Sequence, residues 1–490
     1  MRTAIRVDSS PEIGDGHFFR CLNLAREFVR RRVDVVFVCN ALNHGHAELV
    51  HNLGCKLIEI SADENEVADA TIFLDAIASL DPEIVVVDSY KLSFDWESHV
   101  RPSVKTLVVI ADLPDVRHCC DFLIDQNLTG RKVETWGHVA PNAKVLIGPR
   151  YALLDSHLNQ RRSFKFGGKT ANEKILVYFG GTNIVGILTK TVKALESIAT
   201  SSAPAYVVAH KDQWRDVVRS VNQPIDWCIH QEPNSSFLDM MEDSSLAIGA
   251  GGSTVWERLC LGVDQILISI ARNQEYGCVE LNKRNLATYL GDHNQITEEN
   301  IRSAITRRIA ARSFSDDRVR DGQLLVDGFG STRVVENIIP TPSDELSIRQ
   351  ATARDVALYF VWVNDQFVRS ASLNASDIEW DEHLAWFTHK VQSGDSKMYV
   401  CLAGELPIGQ VRFDSIDDHV ELDYSLDSDV RGRDWGKVIL DLALHEFRRH
   451  SQQEVHATVK HQNARSKSVL IKAGYAQISG DKSSAVFLHK

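Results

Sequence analysis

Short runs of β-branched and apolar residues recur along the first third of the chain, each followed by a helical pattern. Between Thr3 and about Lys165 they include TAIRVD, VDVVFVC, EIVVVDSY, TLVVIAD and AKVLIG. Strands that are apolar on both faces and alternate with helices are typical of a parallel sheet covered by helices on both sides. We therefore predict a doubly wound α/β domain over residues 1–165.

A second series of the same kind follows the polar, basic stretch NQRRSFKFGGKTANEK. It contains ILVYFGGTN, APAYVVAH, WCIHQ, SLAIGAGG and QILISI. This pattern predicts a second α/β domain over residues 166–339. Two such domains leave a cleft at the carboxyl ends of their sheets, where ligands of this architecture bind.

The pattern changes after PTPSDE, a stretch with the composition of a linker. Beyond it, LSIRQAT, MYVCLAG, LPIGQVRFDSI and HVELDYSLD read as antiparallel strands with a helix-rich part between the first two. We predict an α+β domain over residues 346–490. A length of 490 residues fits about three domains.

Composition excludes several classes of partner. A formal charge of −12 and a pI near 5.9 argue against sequence-independent binding to nucleic acid or to an anionic membrane. No apolar run reaches the roughly 18 residues that span a bilayer, and MRTAIRVDSS turns polar too early for a signal peptide. The nine cysteines are scattered, without C-x-x-C pairs. We expect a cytoplasmic protein with free thiols and no metal site.

The stretch IGDGHFFRCLNLAREF, residues 13–28, joins the first strand to an amphipathic helix. Gly14 and Gly16 allow close approach of a ligand, and the unpaired amides at the helix start favour phosphate or a developing anion. The positive helix end disfavours imidazolium, so His17 should be neutral and able to accept a proton. A histidine at this place can also cap or pack the helix.

Several motifs occur in a fixed order along residues 1–338. They are IRVDSSPEIGDGHFFRCLNLAREF, VVVDSY, FLIDQN, GPRYALL, YFGGTN, GAGGSTVWERLCLG, NQ and VDGFGSTRVV. Together they resemble the pseudaminic acid pathway hydrolase that removes UDP from a 2,4-diacetamido-2,4,6-trideoxy-altropyranose, a relative of the glycosyltransferase-B fold. The resemblance implies two Rossmann-like domains in a glycosyltransferase-B-like arrangement. It also implies that His17 is the general base that activates water.

The segment GGST, after the predicted strand SLAIGA, is a second amide-lined turn suited to a pyrophosphate. Thr254 and Glu257 fit the T-x-x-E capping box at the start of the following helix. The substrate-binding residues predicted from the motifs are Asp8, Gly14, Gly16, Tyr90, Gly181, Asn183, Gly251, Gly252, Ser253, Thr254, Glu257, Asn273 and Gln274. Three residues depart from the family pattern, namely Asn183, Ala111 and Asp264, and leave open a changed sugar preference.

These residues predict hydrolysis by a single displacement. Water deprotonated by His17 attacks the anomeric carbon, and UDP leaves while amides and helix dipoles stabilise its pyrophosphate. One displacement predicts inversion at that carbon. We predict no metal, because the two helix starts take the place usually given to magnesium.

In the last domain, RGRDWGK opens a predicted amphipathic helix after the strand VELDYSLD. It resembles the acetyl-coenzyme A pyrophosphate loop of the GNAT acetyltransferases, and NARSKSVLIKAGY resembles a later motif of that family. The resemblance implies that the chain uses acetyl-CoA and binds it through Arg431, Gly432, Arg433, Gly436, Lys437 and Asn463. Asp434 stands at the first glycine position of the loop. Leu470 stands where many members have a tyrosine that protonates the departing thiolate.

The stretches WVNDQFVRSAS and HLAWF resemble the GNAT subgroup that acetylates amino groups of nucleotide-linked amino sugars. For the carboxylate that guides a proton from the sugar ammonium we favour Glu421, with Asp423 as the alternative; either is equally compatible with an exposed strand position. The sequence thus indicates a fused enzyme of pseudaminic acid biosynthesis. It would acetylate a UDP-linked 4-amino sugar and hydrolyse the product. A glycosyltransferase and a non-catalytic nucleotide-sugar sensor remain alternatives.

Overall fold

A computed structural model describes the chain except for residues 11–12, 44, 62–64, 129, 131–132, 163–173, 181–183, 197, 199–204, 222–227, 233–235, 311–314, 418 and 490. The chain divides into two compact units, Met1–Val335 and Glu336–Lys490. The first unit contains two sheets and the second contains one. None of the described helices is both long and apolar enough to cross a bilayer.

The first sheet is parallel and has the strand order β3-β2-β1-β4-β5-β6-β7. Its strands are β1 (Arg2–Val7), β2 (Asp34–Cys39), β3 (Lys56–Glu59), β4 (Ile84–Asp88), β5 (Thr106–Ile110), β6 (Phe122–Asp125) and β7 (Lys144–Ile147). Its helices are α1 (Gly16–Arg30), α2 (His46–Asn52), α3 (Glu66–Ile77), α4 (Phe94–Val100), α5 (Val133–Gly137) and α6 (His157–Arg161).

The strand order reverses between β1 and β4, so the segments that leave these two strands diverge to opposite sides of the sheet. A crevice opens at their carboxyl ends, and ligands of doubly wound sheets bind at such a switch point. The chain leaves β1 into the glycine loop and α1. Phe18, Leu22 and Phe28 of α1 are buried in the core, which fixes the helix against the sheet.

The second sheet repeats this arrangement with the order β10-β9-β8-β11-β12-β13. Its strands, all parallel, are β8 (Lys174–Tyr178), β9 (Ala205–Val208), β10 (Cys228–Gln231), β11 (Ser244–Ala250), β12 (Asp264–Ser269) and β13 (Thr288–Asp292). Its helices are α7 (Val185–Glu196), α8 (Lys211–Ser220), α9 (Phe237–Glu242), α10 (Thr254–Leu261), α11 (Arg272–Lys283), α12 (Glu298–Ala310) and α13 (Ser315–Leu325). Here the order reverses between β8 and β11, and the second glycine loop leaves β11.

The third sheet is mixed, with the order β14-β15-β16-β17-β18-β20-β19. Its strands are β14 (Leu346–Gln350), β15 (Ser396–Ala403), β16 (Leu406–Ile416), β17 (His419–Leu426), β18 (Val455–Lys460), β19 (Ala476–Gly480) and β20 (Ser484–His489). The remaining helices are α14 (Gly330–Ile338), α15 (Val356–Val363), α16 (Gln366–Ala371), α17 (Trp380–Ser393), α18 (Trp435–Arg448) and α19 (Ala464–Lys472).

Strands β17 and β18 form the one parallel pair of this sheet among the described strands, and they pair only at Val420↔Val455 and Glu421↔His456. Beyond those residues the two strands part. The structure confirms two doubly wound α/β domains followed by an α+β domain. The predicted boundaries at residues 165, 339 and 346 stay predictions.

Candidate functional site

His17 lies in the first turn of α1, directly above the switch point of the first sheet, and is largely buried. Its Nδ1 atom lies 2.5 Å from Oδ1 of Asp88, the last residue of β4. A carboxylate only accepts hydrogen bonds, so Nδ1 carries the hydrogen and Nε2 of the neutral ring keeps a lone pair. Arg20 Nη2 also approaches Nδ1, at 3.2 Å, but the closer carboxylate decides the tautomer.

Arg20 follows His17 by three residues on the same face of α1. Its Nε donates to Asp88 Oδ2 at 2.5 Å, its Nη2 donates to Asp88 Oδ1 at 2.6 Å, and its Nη1 donates to Asp112 Oδ1 at 2.9 Å. Burial would raise the pKa of Asp88, but Arg20 and His17 outweigh it and hold that pKa below its usual value. Burial would also raise the pKa of Asp112, but its interactions, chiefly those with Arg20, outweigh burial and hold this pKa below its usual value. Both carboxylates are therefore ionised at neutral pH.

Tyr90 extends this network toward the second α/β domain. Its hydroxyl donates to Asp112 Oδ2 at 2.5 Å and accepts from Asn273 Nδ2 at 2.9 Å. The ring meets that of His17 edge-on, with 4.7 Å between centroids. The structure thus brings together His17, Tyr90 and Asn273, three predicted site residues that are far apart in the sequence.

The second glycine loop differs in one respect from the sequence prediction. Helix α10 begins at Thr254 with Ser253 as its N-cap, and no side chain caps it. The predicted capping box of Thr254 and Glu257 is therefore wrong: Thr254 is already inside the helix, where its backbone carbonyl accepts from Arg258 Nε at 3.1 Å.

Glycines 251 and 252 of this loop differ in their surroundings. A Cβ atom on Gly251 would lie 2.2 Å from Cys278 Sγ, so close packing against α11 requires a glycine there. Around Gly252 the nearest atom to such a Cβ, within the part of the chain that the structure describes, is Gln274 Nε2 at 3.8 Å. Gln274 itself accepts from the backbone N–H of Ile270 at 3.1 Å and so secures the start of α11.

Glu257 is a mostly buried carboxylate with an unpaired oxygen. Its Oε2 atom has no hydrogen-bond partner among the described residues. Burial raises its pKa to about 7, against the opposing charge of Arg258, and Asp155 raises it further. Arg258 itself donates to the backbone carbonyls of Thr254 and Ala250. A strongly shifted pKa next to a loop that the sequence predicts to bind ligand is typical of a functional group.

Two other predicted substrate residues, Asp8 and Gly14, have contacts or a backbone conformation that serve the fold. Asp8 Oδ1 accepts from Arg6 Nη1 at 2.6 Å and from the backbone N–H groups of Asn40 and Ala41 at 2.7 and 3.2 Å, which joins the ends of β1 and β2. Gly14 has a φ of +82°, a conformation that favours glycine. A Cβ on Gly14 or Gly16 would meet no atom of the described residues within 4 Å. Gly181 and Asn183 lie outside the described residues.

Two departures from the family pattern, Asp264 and Ala111, lie among the described residues. Asp264 accepts from Arg308 Nε at 2.8 Å and from Arg318 Nη1 at 3.2 Å, and so ties β12 to α12 and α13. Ala111 is buried and donates its backbone N–H to Ile124. Neither side chain belongs to the network around His17, whereas Asp112, directly after Ala111, does.

In the second unit, the predicted pyrophosphate loop connects β17 to α18. Gly432 and Asp434 have φ values of +86° and +58°, in the left-handed region. Each predicted basic ligand already has a carboxylate partner: Arg431 with Asp365 at 2.7 Å, Arg433 with Glu336 at 2.5 Å, and Lys437 with Asp441.

The other predicted residues of this unit separate into structural and exposed groups. A Cβ on Gly436 would lie 3.1 Å from Val469, where α18 packs on α19. Asn463 caps α19 by accepting from Ser466 N at 3.1 Å. Glu421 Oε1 accepts from the backbone N–H of Thr458 at 2.9 Å, just beyond the last paired residues of β17 and β18. Asp423 has half of its side chain exposed, pairs with Arg412 at 3.3 Å and accepts from Gln410 Nε2 at 3.2 Å.

Asp88, Arg20 and Asp112 were absent from the residues selected from the sequence. A signal for Asp88 existed, because a carboxylate that ends a strand beside a switch point faces the ligand crevice. Among the described residues, no group of three or more His, Cys, Asp or Glu side chains is arranged to hold a metal ion.

Comparison with known proteins gives a separate result for each part of the chain. Residues 345–476 match the family model "Acetyltransferase (GNAT) domain". The UDP-2,4-diacetamido-2,4,6-trideoxy-beta-L-altropyranose hydrolase of Campylobacter jejuni is 26% identical over 294 residues, which is 58% of this chain and 97% of that protein. Uncharacterized protein MJ1062 of Methanocaldococcus jannaschii is 22% identical over 79% of this chain and 78% of that protein.

The crystal structure of MurG from Acinetobacter baumannii covers 69% of this chain and 98% of its own, with a TM-score of 0.50 and 11% identity. Such a likeness shows the fold alone. It confirms the prediction of two Rossmann-like domains in a glycosyltransferase-B-like arrangement. The chain therefore combines a region homologous to a nucleotide-sugar hydrolase with a GNAT acetyltransferase domain.

Proposed function

We propose that the first unit hydrolyses a UDP-linked 2,4-diacetamido-2,4,6-trideoxyhexose to the free sugar and UDP. We further propose that the second unit acetylates the 4-amino group of the UDP-sugar precursor with acetyl-CoA, so that both steps serve pseudaminic acid biosynthesis. The observation that carries the first proposal is the pairing of His17 with Asp88. The 26% identity to a hydrolase with such a substrate supports it.

In this proposal His17 Nε2 accepts a proton from water as the water oxygen attacks the anomeric carbon. The bond from that carbon to the UDP oxygen breaks, and its electron pair leaves with UDP. Asp88 keeps the proton of Nδ1 in place and offsets the positive charge that develops on the ring, the role a carboxylate takes beside a catalytic histidine. A single displacement inverts the anomeric carbon.

We assign the nucleotide to the second glycine loop, with amides of Gly252, Ser253 and Thr254 at the pyrophosphate. The unpaired Oε2 of Glu257 suits hydroxyl donors, such as those of a ribose. Asn273 and Tyr90 join the two domains of the first unit beside His17, which suits contacts to the sugar. Gly14, Gly16, Gly251 and Gln274 remain in the proposed site as residues of the two glycine loops and of the start of α11, and Gly181 and Asn183, outside the described residues, remain in it on the motif resemblance alone. Helix-start amides supply the positive field, so this mechanism uses no metal.

For the second unit we propose acetyl-CoA as co-substrate, with its pyrophosphate at the loop that contains Arg431, Gly432 and Arg433. We assign proton removal from the sugar ammonium to Glu421, with Asp423 as the alternative. Both carboxylates have partners: Glu421 accepts from the backbone N–H of Thr458, and Asp423 accepts from Gln410 and pairs with Arg412. Gly436, Lys437 and Asn463 support the loop and the helix beside it.

The test follows UDP release and CoA release in parallel from a panel of UDP-4-amino sugars, with and without acetyl-CoA. A hydrolase releases UDP without an acceptor, whereas a glycosyltransferase, which the fold also fits, requires one. A nucleotide-sugar sensor binds and releases nothing.

His17→Ala in the full chain isolates the hydrolase. We expect UDP release to fall about 10²- to 10⁴-fold while CoA release is unchanged. The matched control is His118→Asn, because His118 Nδ1 pairs with the buried Glu97 at 2.7 Å in the same domain but outside the site. UDP release at the wild-type rate in His17→Ala would contradict the proposal.

A further inference from the structure

The side chain of Phe367, on α16, has no role in the steps above. It keeps 43% of its surface exposed, although two arginines lie close to its ring. The guanidinium carbon of Arg431 lies 5.1 Å from the ring centroid, and that of Arg465 lies 5.7 Å from it. Arg431 belongs to the loop after β17 and Arg465 to the first turn of α19, so the fold brings two separate elements to one exposed aromatic ring.

The cations beside this ring differ in their partners. Arg431 pairs with Asp365, the N-cap residue of α16. Arg465 has no carboxylate partner among the described residues, and the same holds for Lys460, whose Nζ donates to the backbone carbonyl of Ser370 on α16 at 3.2 Å. In a chain with a formal charge of −12, two such cations next to an exposed ring favour an anionic ligand with an aromatic part.

The two faces of the third sheet are covered by different helices. Arg412 pairs with Asp423 on the next strand, and its guanidinium carbon lies 4.8 Å from the ring centroid of Trp386, on α17. Phe413, the next residue along β16, points to the other face and stacks on Phe447, on α18, with 4.5 Å between ring centroids. Helix α17 therefore covers the face that carries Asp423, and α18 covers the opposite face.

Lys460 lies on the same face of the sheet as the two candidate carboxylates. Glu421 and Asp423 are two residues apart on β17, so they project to one side. His456 is the register partner of Glu421 on β18, and Lys460 follows it by four residues, an even number that keeps the side. At about 3.3 Å per residue, Lys460 lies about 13 Å along the strand from His456. A hexose and two phosphates fit such a span.

We propose that Phe367, Arg465 and Lys460, together called the nucleotide patch, bind the uridine diphosphate part of the amino-sugar acceptor; the inference rests on the proposed acetyltransferase function. The uracil stacks on the ring of Phe367, Arg465 turns from the ring to a phosphate oxygen, and Lys460 contacts the other phosphate. The amine then reaches Glu421 or Asp423 on the same face, whereas the predicted acetyl-CoA loop opens α18 on the opposite face.

The first experiment measures acetyl transfer by the full chain to a UDP-linked 4-amino sugar and to the same amino sugar without UDP. Phe367→Ala should raise the KM for the UDP-linked acceptor by roughly 10- to 100-fold, which is the contribution of one stacked base, and leave kcat/KM for the free sugar unchanged. Arg465→Ala should act in the same direction and reduce the salt dependence of that KM. Phe367→Tyr keeps a ring and should behave as the wild type.

Two control variants match these changes within the second unit. Lys472→Ala removes an exposed cation from the same helix as Arg465, about two turns farther on, and Lys472 likewise has no carboxylate partner in the part of the chain that the structure describes. Leu373→Ala removes an apolar side chain that is 67% exposed and lies two residues after the end of α16. Neither variant should change these kinetic constants.

The same assays separate UDP from the adenosine end of CoA, which offers the same chemistry of base and phosphate. A higher KM for acetyl-CoA in Phe367→Ala, with an unchanged KM for the UDP-linked acceptor, would assign the nucleotide patch to CoA and overturn the proposal. An equal loss with the UDP-linked and the free acceptor would show a structural role and would overturn it as well.

The second experiment does not depend on acetyl transfer. The full chain is irradiated with 5-iodo-UDP, with and without saturating CoA, so that the uracil becomes attached to an aromatic ring that it contacts, and the modified peptide is identified by mass spectrometry. We expect modification at Phe367 under both conditions, prevented by excess UDP. If the wild type acetylates no UDP-4-amino sugar, the proposed function fails, yet this modification still decides the nucleotide patch. Its absence from residues 366–371 would overturn the proposal.

Discussion

Glu257→Gln should stabilise the unliganded chain at neutral pH and weaken its binding of UDP. Burial raises the pKa of this carboxyl from its ordinary 4.5 to about 7. Between these values the folded chain holds a proton that the unfolded chain has lost, so stability falls as the pH rises through this window. Each pKa unit corresponds to about 1.4 kcal/mol, so above pH 7 the ionisation of buried Glu257 lowers the free energy of unfolding by about 3 kcal/mol. Glutamine has a similar shape but does not ionise, so it does not carry this cost.

The assay is urea unfolding of the chain without UDP at about pH 5 and about pH 8. The transition to follow is the one that moves to higher urea when UDP is added in a separate experiment, because that transition belongs to the UDP-binding part of the chain. Wild type and Glu257→Gln should differ by about 1 kcal/mol or less at the lower pH and by up to about 3 kcal/mol at the higher one. Calorimetry should show UDP binding weakened by roughly tenfold or more, since hydrogen bonds to a charged group contribute about 1.5–3 kcal/mol.

Glu97→Gln is the control, because Glu97 is a buried carboxylate of the same unit whose oxygens are satisfied by His118 and by the Cys119 backbone. It should lower stability at both pH values and leave UDP affinity unchanged. An equal difference between wild type and Glu257→Gln at the two pH values would refute the argument from burial. Unchanged UDP affinity in Glu257→Gln would remove Glu257 from the nucleotide site.

Two further substitutions test the network and the cofactor loop. Asp88→Asn should lower kcat for UDP release by about 10²- to 10⁴-fold, because an amide no longer fixes the tautomer of His17; wild-type kcat in steady-state assays would exclude this role. Asp434→Gly should strengthen acetyl-CoA binding in calorimetric titrations, since the φ of +58° suits glycine and the substitution removes a carboxylate from the proposed pyrophosphate loop. Weaker binding would show that Asp434 holds the loop.

The sequence was sufficient for the fold class and for the place of His17, because strand composition and a glycine loop before an amphipathic helix are local signals. The partners of His17 are not local. Arg20 reaches Asp88 and Asp112 only because β4 lies beside β1 and β5 beside β4, an order that composition does not determine. Asp88 could have been predicted from the sequence, because it is the last residue of a strand at the expected switch point.

Other predictions depended on geometry that residue patterns do not contain. The sequence does not distinguish Glu421 from Asp423, and their partners come from other strands: Glu421 accepts from the backbone N–H of Thr458, and Asp423 pairs with Arg412. Arg433 reads as a phosphate ligand, but it pairs with Glu336, which lies before the predicted start of the third domain at residue 346. The capping box failed because Thr254 lies one position inside the helix that it was expected to cap.

The charges around His17 resolve a conflict in its proposed role. A helix start disfavours imidazolium, yet a general base must become imidazolium as the reaction proceeds. The two buried carboxylates of Asp88 and Asp112, with the single guanidinium of Arg20, leave one negative charge beside the ring. When His17 accepts a proton from water, this cluster becomes neutral. In the proposed reaction the electrostatic cost of the helix start is thus offset at the moment the proton moves. Asp112, in contact with Arg20 rather than with His17, therefore belongs to the same proposed catalytic unit.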